Sequence, residues 1–176
     1  MQATTGVVTF LFTDVEGSSR LWEQEPARMR SAMEHHDAIV KAAVAERRGK
    51  VVKMLGDGVH AAFDDPLNAM AAAIAIQQGL AEATGHLRLA VRAGLHAGVE
   101  QERDDDYFGR SVNRAARLMS VAHGGQILLS QAVAALVQQR LPPGVTLRDL
   151  GEVRLRDLAS AERVFQVQHP ALRADF

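Results

Sequence analysis

The sequence predicts an α+β domain in which helices pack on a sheet rich in antiparallel pairs. Three observations predict it. Gly56-Asp57-Gly58 joins two short apolar runs, a strong hairpin signal. The segment from Leu87 to Val99 alternates between apolar and polar residues as a strand does. The resulting order of elements is β-α-β-β-α-β-α-β-α.

Each element has its own grounds. Val7 to Phe12 is β-branched and apolar, a buried strand that ends at Thr13-Asp14. Glu16-Gly17-Ser18-Ser19 follows as a polar turn suited to capping the next helix. That helix runs from Pro26 to about Arg47, with Met29, Met33, Ile39, Val40 and Val44 at helical spacing and Arg47-Arg48-Gly49 closing it. Lys50 to Leu55 and Val59 to Phe63 are the hairpin strands. Asp64-Asp65-Pro66 opens an Ala-rich helix to about Ala83. In the strand from Leu87 to Val99, Leu87, Leu89, Val91, Leu95 and Val99 share one face, opposite Arg88, Arg92 and His96. An acidic loop from Glu102 to Asp106 leads to a helix over Val112 to about Ala122. A strand at Ile127 to Leu129 and a helix from Gln131 to Arg140 come next. Two short strands, around Val145 to Leu155 and Arg163 to Val167, complete the chain. With no repeat and no Pro- or Ser-rich linker, residues 1–176 read as one domain with a core from about 6 to 169.

Composition narrows the function. In 176 residues, 47% are apolar but only 5% aromatic, so the core is built mostly of Ala, Val, Leu and Ile. The 20 basic and 21 acidic residues leave a net charge of -1. This argues against nucleic acid as a partner and against a polybasic membrane anchor. With 0 Cys, disulfides, zinc ribbons and thiol nucleophiles are excluded. The start, MQATTGVVTF, lacks the pattern of a signal peptide, and no apolar run approaches the ~20 residues of a membrane span. These features fit a cytoplasmic setting.

The chemistry lies in the loops. Asp14 closes the first strand and Asp57 sits at the hairpin tip. If these strands are neighbours, two hard carboxylates share one space, which suits Mg²⁺ or Mn²⁺. The plainer reading is a helix cap and ordinary Asp-Gly turn chemistry. Gly17, Ser18 and Ser19 at a helix start favour a phosphate cradle beside such a metal. Lys53 interrupts an apolar strand in a chain whose other lysines are Lys41 and Lys50, so it either has a partner or faces outward from an edge strand. Arg110, Asn113, Arg114 and Arg117 fall on one helix face, with Val112, Ala116 and Met119 pointing elsewhere. Such a stripe is ordinarily a solvated face, but its Tyr107-Phe108-Gly109 lead-in after three aspartates sets it apart. His35-His36-Asp37 reads as structural, His96 as packing within its strand or reaching a backbone group, and His123 as a helix end. P-loop, G-x-G-x-x-G, H-E-x-x-H and G-x-S-x-G motifs are all missing.

Taken together these segments resemble the class III nucleotidyl cyclase catalytic domain of bacterial type. Val8-Thr-Phe-Leu-Phe-Thr-Asp-Val-Glu-Gly-Ser-Ser19 is similar to its first metal-binding segment, and Lys53-Met-Leu-Gly-Asp57-Gly to the segment with the base-reading lysine and second metal aspartate. Asp106-Tyr-Phe-Gly-Arg-Ser-Val-Asn113-Arg-Ala-Ala-Arg117 and Gly124-Gly-Gln-Ile-Leu-Leu-Ser130 match the remaining motif and the strand after it. The resemblance covers about Gly6 to His169. It departs at Arg110, where bacterial members often carry proline. It implies a ferredoxin-like cyclase-homology sheet and an adenylate cyclase acting on ATP. Asp14, Asp57 and the Val15 carbonyl would hold two divalent ions, Mg²⁺ or Mn²⁺. Lys53 and Asp106 would read the base, Asn113 would orient the ribose and Arg117 would neutralise the α-phosphate. Arg156, or Arg154, would meet the terminal phosphate. The resemblance also implies a head-to-tail homodimer with composite sites, and leaves room for fused regulatory domains outside this chain.

Donor and acceptor chemistry favours ATP. Adenine offers an N1 acceptor and an N6 donor to Lys53 and Asp106, whereas guanine reverses both, each buried mismatch costing roughly 1–3 kcal/mol. The alternatives are a guanylate cyclase and a non-catalytic nucleotide-sensing or dimerisation module.

Overall fold

The structure, a computed structural model, describes residues 6–176. Residues 1–5, where the reading of the start as leaderless falls, lie outside the described residues. The chain runs β1 (Val7–Val15), α1 (Ser18–Gln24), α2 (Pro26–Glu46), β2 (Lys50–Met54), β3 (Gly58–Phe63), α3 (Pro66–Glu82) and β4 (Val91–Val99). It continues with β5 (Glu102–Arg103), β6 (Asp106–Tyr107), α4 (Arg110–Ser120), β7 (Ile127–Ser130), α5 (Gln131–Val137), a 3₁₀ turn (Gln138–Arg140), β8 (Thr146–Val153) and β9 (Glu162–Gln168). Seven strands form one sheet in the order β2-β3-β1-β4-β7-β9-β8. Only the β4–β7 pairing is parallel within it, so the α+β expectation holds. No helix among the described residues is long and apolar enough to cross a membrane.

β1 is mostly apolar up to Phe12 because it is central and covered on both faces. Leu11 and Val15 enter the main core with α2 and α3, where Met29, Val40, Met70 and Ile76 are almost fully buried. Val8, Phe10 and Phe12 face the other way, where Ala115 and the partly buried Val112, Ala116 and Met119 of α4 meet them. The apolar stripe expected on α4 is therefore its sheet-facing side.

Four differences from the sequence reading have physical causes. The strand expected from Leu87 begins at Val91, because the β1 ladder that pairs with it ends at Val15↔Val91 and one bond from Glu16 N–H to the Ala90 carbonyl closes the edge. Helix α4 packs on the strand's polar face. A Cβ on Gly94 would lie 2.4 Å from the Met119 nitrogen and one on Gly98 1.9 Å from Ser111 Oγ, so these glycines let α4 rest directly on β4. His96 is buried beneath that contact. Its Nδ1 meets Ser130 Oγ on β7 at 2.7 Å rather than a backbone group, and burial, with the Arg114 charge adding to it, pushes its pKa down to about 4. Second, the turn at Glu16 to Ser19 contains the start of a separate short helix, α1. Third, α4 starts at Arg110, directly after Gly109 at φ 122°, two residues earlier than expected.

Fourth, the acidic loop is a small hairpin, β5–β6. Its turn residues Asp104 and Asp105 adopt φ of 53° and 60°, the left-handed region that aspartate tolerates better than most residues. Lys50 Nζ holds it to β2 through Glu102 at 2.8 Å and Asp105 at 3.2 Å. The Tyr107 hydroxyl donates to Glu102 at 3.1 Å.

Candidate active site

The ladder aligns Lys53 with His60 and His60 with Phe12, so the three side chains share the α4 face of the sheet. Phe12 and His60 stack with centroids 4.3 Å apart and form the floor of a cavity of about 400 Å³. Lys53, on edge strand β2, is exposed yet partnered: its Nζ lies 2.7 Å from Asp106 Oδ2. That ammonium, together with the Tyr107 N–H donating to Oδ1 at 2.8 Å, holds the Asp106 carboxyl below the usual carboxylate range. Phe108, exposed at the rim, and Asn113 of α4 complete the walls. Burial lowers the His60 pKa to about 4, so the ring is neutral, and its buried Nε2 has no hydrogen-bond partner among the described residues.

Asn113 also lines a second hollow of about 410 Å³, with Arg110, Arg114 and Asp157. Arg114 pairs with Glu162 at 2.7 Å and Arg117 with Asp157 at 2.9 Å. Arg154 and Arg156 are exposed on the loop after β8. A single asparagine thus stands between a cavity with a lysine–aspartate pair and one rimmed by arginines.

The acidic corner is separate. Asp14 lies opposite Gly58 in the β1–β3 ladder, which brings Asp57 beside it. The close approach needs glycine, since a Cβ on Gly58 would fall 1.7 Å from the Thr13 carbonyl oxygen. Ser18 Oγ donates to Asp57 Oδ2 at 2.7 Å, while Gly17, at φ 68°, caps α1 and Ser19 is exposed. Arg92 Nε donates to Asp14 Oδ1 at 2.6 Å and its second terminal nitrogen to Oδ2. No group of three or more acidic or histidine ligands occurs among the described residues. The donors nevertheless fit a hard divalent cation: two carboxylates, with a guanidinium already standing in as the cation. Substrate oxygens would have to complete the shell.

The chain matches the family described as the adenylate and guanylate cyclase catalytic domain over residues 1–168. It belongs to that family. A Mycobacterium tuberculosis protein, uncharacterised, is 41% identical over 174 residues; the match covers 98% of this chain and 59% of that relative's length. An adenylate cyclase of Lachancea kluyveri is 35% identical over 153 residues, which cover 72% of this chain and 8% of that protein. Among solved structures, adenylate cyclases from Trypanosoma brucei in their monomeric state superpose with a TM-score of 0.85 at 25% identity, covering 97% of this chain and 92% of that one.

This cyclase domain gathers its expected site residues into three places. Lys53, Asp106 and Asn113 share one cavity. Asp14, Asp57 and Ser18 share the acidic corner, at whose edge Val15 is buried. Arg117 and Arg156 lie toward the loop after β8. Neither Asp14 nor Asp57 lines the cavity of Lys53 and Asp106. Sequence reasoning passed over two residues that touch these groups, His60 in the cavity and Arg92 against Asp14. His60 gave one signal, a lone histidine inside an apolar strand. Arg92 was seen only as one of the polar residues on its strand, since its pairing with Asp14 needs the β1–β4 register.

Proposed function

We propose that this cyclase domain converts ATP to 3′,5′-cyclic AMP and pyrophosphate, in sites shared by two chains of a head-to-tail homodimer. The observation that carries the choice of ATP is the Lys53–Asp106 pair, 2.7 Å apart over the Phe12–His60 floor. The ammonium donates to adenine N1 and the carboxylate accepts from the N6 amino group. Guanine would face a donor with a donor and an acceptor with an acceptor. The rings beneath offer an apolar surface for stacking.

Asn113, between the two hollows, orients the ribose so that its 3′-oxygen lies in line with the α-phosphorus. The 3′-hydroxyl gives its proton to water, the 3′-oxygen–phosphorus bond forms as the bond from the α-phosphorus to the bridging oxygen breaks, and pyrophosphate leaves. Arg117 exchanges Asp157 for the α-phosphate oxygens, whose charge grows in the transition state. Arg156 reaches the terminal phosphate, and the Gly17 to Ser19 segment lies beside the polyphosphate. Asp14, Asp57 and the Val15 carbonyl would hold two divalent ions, Mg²⁺ or Mn²⁺, which when bound supply a more acidic 3′-hydroxyl and neutralised phosphate charge. No histidine is required as a base.

The separation of the acidic corner from the base cavity supports the shared site. An adenine edge and the outer phosphates are roughly 10 Å or more apart, and the four-residue step from Lys53 to Asp57 folds back as a hairpin. One chain therefore supplies Asp14 and Asp57, and its two-fold mate supplies Lys53, Asp106, Asn113 and Arg117. Residues 1–176 then act as one catalytic domain.

Product analysis in Mn²⁺ buffer tests the reading. Cyclic AMP from ATP and little cyclic GMP from GTP is the expected result; the reverse preference would reassign the base pocket, and no product from either would point to a non-catalytic module. Asp57→Ala and Asn113→Ala homodimers should each be nearly inactive, yet regain activity when their chains are mixed, because both lesions then fall in one site. No recovery in demonstrated heterodimers would rule out sharing.

A further inference from the structure

Arg92 occupies the corner assigned to metal, and it does so with its whole guanidinium. It stands directly opposite Asp14 in the β1–β4 ladder, so its backbone cannot move away without breaking two central strands. Nε and one terminal nitrogen engage both Asp14 oxygens, and the other terminal nitrogen donates to the Ser120 carbonyl at 3.1 Å. That carbonyl belongs to the C-terminal end of α4, where the helix dipole also favours a cation. Arg92 donates both hydrogen bonds to Asp14, and the negative charges of Glu16 and Asp57 lie near the same guanidinium. The corner thus holds two carboxylates, Asp14 and Asp57, and one fixed positive charge, with the Glu16 charge nearby.

We propose that Arg92 is a gate on metal occupancy: it closes the acidic corner to free divalent ions and yields when they arrive with nucleotide phosphate. This rests on the reading of Asp14 and Asp57 as metal ligands. A dication entering alone must take Asp14 oxygens from a bidentate partner and then sit beside a like charge in a partly buried space. A triphosphate arriving with the metal supplies the missing negative charge and further oxygen ligands. Metal binding becomes conditional on substrate, and the guanidinium satisfies the aspartate until then. Arg92 is a positioning residue here; it touches a ligand and not the reacting atoms.

The purely structural alternative makes Arg92 a tie between β1, β4 and α4, and the two readings differ in what they predict for metal. The measurement is binding of Mn²⁺ alone, followed by the loss of the free-ion electron paramagnetic resonance signal, in wild type, Arg92→Met and Arg92→Lys. Arg92→Met keeps an unbranched stem and removes the charge; Arg92→Lys keeps the charge and loses the fork, which safeguards the test if the first variant folds poorly. The gate predicts that Arg92→Met binds Mn²⁺ about tenfold or more tightly than wild type, with Arg92→Lys between them. Adding Asp14→Asn to Arg92→Met should abolish the gain. Unchanged or weaker Mn²⁺ binding in the folded variants overturns the proposal. A control separates this from failure of the metal assignment: wild type should bind 2′,3′-dideoxy-ATP, which cannot cyclise, in a Mn²⁺-dependent manner that Asp57→Ala removes. If that dependence is missing, the metal assignment falls and the gate with it.

Discussion

The two faces of the sheet are built on opposite principles. On the α2–α3 side, apolar packing runs without a break from Leu11 and Val15 through Met29, Val40 and Met70 to Val133 and Val137. On the α4 side, apolar contacts form two small clusters, one around Phe10 and Tyr107 and the other around Leu118 and Leu155. Around them stand the Lys53–Asp106 pair, the Asp14–Arg92 pair, Asn113 and the arginines. β1 shows the contrast residue by residue: Leu11 and Val15 enter the large core, while Phe10, Phe12 and Asp14 move from packing to chemistry along the other face. Stability is concentrated on one side, which frees the other to hold charges and cavities that add little to folding.

Substitutions can break that contrast or sharpen it. The largest expected effect is on turnover: Asp14→Ala or Asp57→Ala should lower cyclase activity by about 10³-fold or more, because phosphate charge is left unneutralised. Thermal unfolding followed by circular dichroism should show a retained fold. A collapsed fold would break the separation of faces, and near-wild-type turnover would remove the metal assignment.

Leu11→Ala probes the other side. It deletes a fully buried side chain and should destabilise the domain by about 3 kcal/mol, read from urea unfolding, with kcat preserved in the folded fraction. Next comes Lys53→Glu with Asp106→Gly, which should move preference from ATP toward GTP by about 10- to 100-fold, or roughly 1–3 kcal/mol in all for this solvent-accessible pair. Ratios of kcat/KM would measure it; an unchanged ratio would show that the pair does not read the base.

The smallest effect is a pH dependence. His60 and His96 are held at about 4 in the fold and return to 6.5 when it opens. Between those values the unfolded chain binds more protons, so stability is full above pH 6.5 and declines as pH falls toward 4. His60→Phe should flatten that decline in melting temperatures taken from pH 7 to 4.5.

What was legible in the sequence was whatever local chemistry determines. The Gly56 to Gly58 hairpin, the Pro-initiated helices and the buried β1 run each carry their own signal. The hidden features are held by contacts distant in sequence. α1 has seven residues and is anchored by Ser18 to Asp57, 39 positions away. The β5–β6 hairpin has two-residue strands and is held by Lys50 and Lys53 on an edge strand. Arg92 reads as one polar residue of an alternating strand until the register sets it against Asp14. The same holds for the site: motif spacing marked the Lys53, Asp106 and Asn113 that share a cavity, but not the neutral histidine under them.

Lys53 and Asp57 ride on the two ends of one short structural piece. Met54 is paired with Val59, and the Leu55 N–H is tied to the Gly58 carbonyl at 2.9 Å, so little slack remains between the ammonium and the carboxylate. A push on one end is transmitted to the other. In the homodimer proposed above those ends serve different nucleotides, which makes each hairpin a lever with one foot in either site. Filling the first site would then shift the metal ligand of the second, and initial rate against ATP concentration should depart from a simple hyperbola.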